Sequence, residues 1–108
     1  MIRISQIREG SQPKLIVEGV LSDDLVDALE TTWLEVQSQL NGARLRVDVS
    51  GLTYVDDKGR DLLARIMQSG AEVRAAGIMN RTIVNEIAKE IEDARRDSRD
   101  SGQKHTKN

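Results

Sequence analysis

A chain of 108 residues, 38% hydrophobic and 31% charged, has the make-up of one globular domain with a modest core, and with 2% aromatic residues that core must be aliphatic. The absence of cysteine excludes a disulfide framework, a thiolate metal site and a cysteine nucleophile. A formal charge of −2 with both signs intermixed provides no field for nucleic acid, and no apolar run reaches the roughly 18 residues of a spanning helix, so a cytoplasmic chain without membrane insertion or targeting signal is expected.

Residues 1–9 and 14–20 are rich in β-branched and aliphatic side chains around the break Glu9-Gly10-Ser11-Gln12-Pro13, which predicts a hairpin. Ser22 then offers an N-cap oxygen, and Asp23 and Asp24 suit the positive end of a helix dipole. Leu25, Leu29, Trp33, Val36 and Leu40 fall on one face of that first helix, which Asn41-Gly42 should end. Trp33 belongs to this apolar stripe and is expected to pack in the core or at its edge rather than to form a binding surface.

Residues 43–49 alternate strictly, sending Leu45, Val47 and Val49 to one side and Arg44, Arg46 and Asp48 to the other. A loop over residues 50–55 should follow, then a second helix from Asp57 to Ser69 with Leu62, Leu63, Ile66 and Met67 on its inner stripe. A short strand around Val73 and a third helix capped by Asn80, carrying Val84, Ile87, Ala88 and Ile91, complete the pattern. The mixed-sign run of residues 90–100 reads as a solvated helix end. The domain is expected over residues 1–95, with residues 96–108 as a disordered polar tail that includes His105, the only histidine. The order β, β, α, β, α, β, α with right-handed crossovers predicts an α/β domain: a four-stranded mixed sheet with three helices mainly on one face and the other face comparatively wet.

Residues 45–63 carry a resemblance. Asp48, Gly51, Leu52, Val55, Asp56, Gly59, Leu62 and Leu63 fit the strand, turn and apolar-Asp-Ser-x-Gly signature of STAS domains, which opens a helix with paired leucines. The looser order of elements extends the likeness over about residues 12–92, with Gly70, Val73, Gly77, Asn80 and Val84 where that family has its next strand and loop. The resemblance implies a non-enzymatic module of the anti-sigma-factor-antagonist type, acting in transcription regulation by binding an anti-sigma factor or related serine kinase. It also admits an accessory subunit of a membrane transporter. The implied partner-binding loop comprises Thr53, Asp56, Asp57, Lys58 and Gly59.

Two positions depart from the family. The serine that such antagonists use as a phosphorylation switch is replaced by Asp57, and the chain turns polar where a fifth strand is common, leaving a sheet edge that a partner or a second copy could cover. Asp57 reads either as a helix cap or as a phosphomimetic charge, although phosphoserine carries about −1.5 to −2 against −1 for aspartate. Asp56 is expected to fix the loop and Gly59 to allow close packing or backbone freedom. Ser50 and Thr53 should make local backbone hydrogen bonds. Asp48, Asp56, Asp57 and Asp61 could be imagined around magnesium, but without a phosphate-cradling loop an enzyme is the outsider, and neither metal nor cofactor is expected.

Overall fold

The computed structural model describes the backbone of residues 1–107 and the side chains of residues 1–96. The chain runs β1 (Ile2–Glu9), β2 (Gln12–Leu21), α1 (Asp24–Gln37), β3 (Arg46–Val55), α2 (Asp57–Gln68), β4 (Glu72–Arg74) and α3 (Ile78–Lys107). The four strands form one sheet in the order β1-β2-β3-β4, antiparallel between β1 and β2 and parallel from there on, so the expected mixed sheet with three helices is what forms. Where the sequence predicts a disordered tail over residues 96–108, the backbone continues α3 to Lys107; the side chains from residue 97 on, His105 among them, lie outside the described residues.

The hairpin is tighter than its composition suggests. Gly10 takes a left-handed φ of 64°, and β2 already includes Gln12 and Pro13. Proline is tolerated there for a geometric reason. The Val20 N–H reaches the Met1 carbonyl, so the N–H groups of alternate residues back to Gln12 face β1, and the Pro13 nitrogen faces the other side, where pairing with β3 starts only at Lys14.

Strand alternation separates core from solvent. Leu15, Val17 and Leu21 of β2 and Val47, Val49 and Leu52 of β3 are buried under the helices, with Leu29 and Trp33 of α1, Leu62, Leu63 and Ile66 of α2 and Ile87 of α3. Arg65 stacks over the Trp33 ring at 5.6 Å from its centroid, which places the tryptophan at the rim of the core as expected. On the opposite face Lys14, Arg46, Asp48 and Glu72 stay partly solvated and linked: Glu9 pairs with Lys14 at 3.5 Å and Arg46 at 3.8 Å, and Arg46 with Glu72 at 3.7 Å. Exposed pairs of this kind add little stability but keep the bare face hydrophilic.

Several details correct the sequence reading. The N-cap position of α1 is Asp23, not Ser22; it adopts φ 49° and makes no side-chain cap. Val26 takes the inner position expected for Leu25, and the helix stops at Gln37, ahead of Asn41-Gly42. The expected loop over residues 50–55 is strand, because two register shifts opposite Val17 and between Gly19 and Val20 keep β3 paired to β2 as far as Val55. Of the inward residues of the last strand and helix, Ile87 is fully buried, Val73, Val84 and Ile91 are half-buried, and Ala88 is exposed, since β4 ends the sheet and has a strand on one side only.

Candidate functional site

In open sheets with parallel strands, the loops at the carboxyl ends of the strands meet along one edge and form the usual binding side. Here those are the connections from β2 to α1, β3 to α2 and β4 to α3. Asp56 ties the first two together. Its Oδ1 accepts the Gly59 N–H at 2.7 Å, which makes it the N-cap of α2, and its Oδ2 accepts the Asp23 N–H at 3.0 Å, at the start of α1. The Asp56 N–H in turn donates to the Leu21 carbonyl at 3.1 Å. One carboxylate thus satisfies free backbone donors at two helix starts.

The capping role expected of Asp57 therefore belongs to Asp56. Asp57 is the first residue of α2; its carboxylate faces solvent beside the positive end of the helix dipole, and among the described residues no hydrogen bond or ion pair involves it. Neighbouring Lys58 is exposed and turns toward Asp27, at 3.9 Å. Gly59 is buried, and a Cβ there would lie 2.8 Å from the Leu21 carbonyl oxygen and 2.9 Å from Val55 Cγ1, so close packing and not backbone freedom demands glycine. Thr53 lies in β3 rather than in the loop; it is exposed, and its hydroxyl donates to the Gly19 carbonyl at 3.2 Å. Of the five residues expected in a docking loop, Asp57 alone has no partner among the described residues; Lys58 is exposed but paired with Asp27, Thr53 is tied to β2, and Asp56 and Gly59 are structural.

The third connection is fastened through Ser50. Its hydroxyl accepts the Ala76 N–H at 2.8 Å, and its carbonyl accepts the Asn80 side-chain amide at 2.9 Å, while the same amide reaches the Leu52 carbonyl at 3.0 Å. Asn80 is buried and binds β3; it does not cap α3, which begins earlier, at Ile78. As a result Ile78 and Met79 stand out from the first turn, 88% and 52% exposed, and Tyr54 is 56% exposed two residues beyond Leu52. The sequence reading passed over these three. Two apolar residues in a first helical turn, directly after Gly77, were the available signal.

Ser50 also acts on the wet face. Burial alone would raise the Asp48 carboxyl, but hydrogen bonds from the Ser50 hydroxyl and N–H, with the charges of Lys14 and Arg74, outweigh it and hold the group below the ordinary aspartate range. Asp48 thus points away from the loop that holds Asp56 and Asp57, and among the described residues no group of three or more His, Cys, Asp or Glu side chains converges as metal ligands would. Among the described residues no helix is long and apolar enough to cross a membrane.

Comparison with known proteins yields no matching family model and no matching curated protein. Solved structures do share the fold. A crystal structure of Mglu superposes at TM-score 0.54 with 20% identity over 69% of this chain and 19% of Mglu, and one of Mglu in its native form at 0.52 with 20% identity over 67% and 22%. This chain therefore spans about a fifth of the length of those chains, and at that identity the likeness is one of fold alone.

Proposed function

We propose that the domain is a non-catalytic protein-interaction module of the anti-sigma-factor-antagonist type, which docks an anti-sigma factor or related serine kinase against the start of α2. The observation that supports this reading is the division between two adjacent aspartates. Asp56 is consumed in holding the loop, whereas Asp57, at the position of the family's switch serine, presents an unpaired carboxylate to solvent. A charge without a structural partner is available to a partner protein, and here it stands permanently where the family would add phosphate. Tyr54, Ile78 and Met79 supply apolar surface at the same end of the sheet, of the kind that anchors protein contacts.

The test compares the wild-type chain with Asp57→Asn and Asp57→Ser as baits in native lysate, followed by affinity measurement on the purified partner. Asn and unphosphorylated Ser are expected to behave alike and to differ from Asp, and the captured kinase should phosphorylate the Ser variant but not the wild type. Equal binding by all three would leave Asp57 as an ordinary first residue of a helix and remove the basis of the reading.

A further inference from the structure

β4 closes the sheet, and among the described residues nothing pairs with its outer edge. One bond orients its backbone: the Glu72 N–H donates to the Leu45 carbonyl at 2.8 Å, on the β3 side. Because hydrogen-bonding groups alternate sides along a strand, the N–H and C=O of Val73 point away from the sheet. Beside them β4 and α3 leave a groove of about 280 Å³ lined by Val73, Arg74, Ala75, Arg81, Val84 and Asn85, with Val73 and Val84 only half-buried in it.

A short charged edge ordinarily keeps chains apart. This one carries one charge of each sign, on either side of an apolar residue, and within one chain the two pair with each other, Arg74 Nε to Glu72 Oε2 at 2.6 Å, so a second copy would have to share or exchange that pair. Glu72 and Arg74 are in register with Arg46 and Asp48 on the wet face, and Val73 is in register with buried Val47 on the helix face. Read backwards, the triplet is its own electrostatic complement. We propose that β4 pairs antiparallel with the β4 of a second copy, about a twofold axis passing between the two Val73 residues.

In that register the two valines form a hydrogen-bonded pair that exchanges both outward-pointing N–H and C=O groups. Each Glu72 faces the Arg74 of the other copy in the flanking, closer-spaced pair, where opposite charges are favourable. The Val73 side chains meet on the helix face and extend the apolar floor that Val84 begins, so the two sheets become continuous through an isologous contact. Parallel pairing of two β4 strands would set like charges side by side and is not twofold symmetric. An unrelated extended peptide could use the edge without needing the alternation of charge, and would leave the chain monomeric. None of residues 53–59 takes part, so this interface and the docking site proposed above fail independently.

Sedimentation equilibrium of the full chain over a range of concentrations tests the proposal, with a reversible dimer expected. Val73→Pro removes an N–H that the β3 ladder does not use, and should give a monomer with unchanged far-ultraviolet circular dichroism. Arg74→Glu sets Glu against Glu across the axis and should raise the dimer Kd about tenfold or more, while Glu72→Arg added to Arg74→Glu restores opposite charges and should bring the Kd back toward wild type. Should the proline variant lose its fold, the charge variants decide. A wild-type chain that stays monomeric throughout, or a dimer indifferent to the proline and charge variants alike, overturns the assignment.

Discussion

Asp56→Ala is the substitution that most directly tests how the candidate site is built. The side chain accepts the Gly59 N–H at 2.7 Å and the Asp23 N–H at 3.0 Å, so its removal orphans one donor at the start of α2 and another at the start of α1. Loss of an N-cap costs about 1 kcal/mol, and loss of a second bond to a charged acceptor about 1–2, which gives about 2–3 kcal/mol for the pair, toward the lower end because the group is partly solvated. Asp56→Asn separates the two contributions. The amide oxygen can still cap α2, but the NH2 cannot accept from Asp23, so about half the loss should remain. Asp57→Ala gives up only a favourable interaction with the helix dipole, about 0.3–1 kcal/mol. Urea unfolding at constant m-value measures all three, and the order expected is Asp56→Ala, then Asp56→Asn, then Asp57→Ala. An Asp57→Ala variant as unstable as Asp56→Ala, or an Asp56→Ala variant within about 0.5 kcal/mol of wild type, would refute the assignment of the cap.

Other expectations follow from packing and charge. Leu63, 1% exposed, should lose about 2–5 kcal/mol on truncation to alanine, read from the shift of the unfolding midpoint. Gly59→Ala drives a methyl group toward the Leu21 carbonyl oxygen and Val55, and should cost about 1–3 kcal/mol; a neutral result would mean that β2 and β3 yield easily at this end. Because the fold depresses the Asp48 carboxyl, its contribution is complete above the ordinary aspartate pKa of about 3.9 and is lost as pH falls through the lower folded value. Asp48→Asn should therefore flatten the acid limb of a melting-temperature profile below about pH 4 and leave its slope near neutrality unchanged. An acid limb as steep as that of wild type would assign it to other carboxylates.

Much of the architecture was legible because periodicity reports burial. The strict alternation through Leu45, Val47 and Val49 and the stripe of Leu62, Leu63 and Ile66 each mark a face that has to be covered, and these residues are buried. Boundaries were less legible, since they depend on what lies alongside. Thr53, Tyr54 and Val55 suit a strand, but Ser50-Gly51 ahead of them reads as a break; β3 runs through it because it takes up one extra residue against β2 at each of two register shifts. Asn80 misled for the same reason. Its amide suits a helix cap in isolation, but in the fold two unpaired carbonyls of β3 lie within its reach. Val73 has the right face and still remains half-buried, because β4 has a neighbour on one side only.

The pair Asp56-Asp57 shows the limit of reading a site from residue type. Both are acidic and both stand at the start of a helix, so the dipole favours either, and propensity alone cannot say which one caps. The backbone decides. Asp56 has the extended dihedrals of an N-cap, φ −86° and ψ −178°, which aim its carboxylate back at the Gly59 N–H; Asp57 already has a helical backbone and cannot reach it. Extended geometry at Asp56 follows in turn from its position one residue past β3, where its own N–H is still held by the Leu21 carbonyl of β2. The strand end thus selects the capping residue, the cap fixes the first turn, and the first turn sets Asp57 facing water. A charge placed in this way gives up only its interaction with the helix dipole when it is changed, about 0.3–1 kcal/mol, whereas its neighbour holds two helix starts.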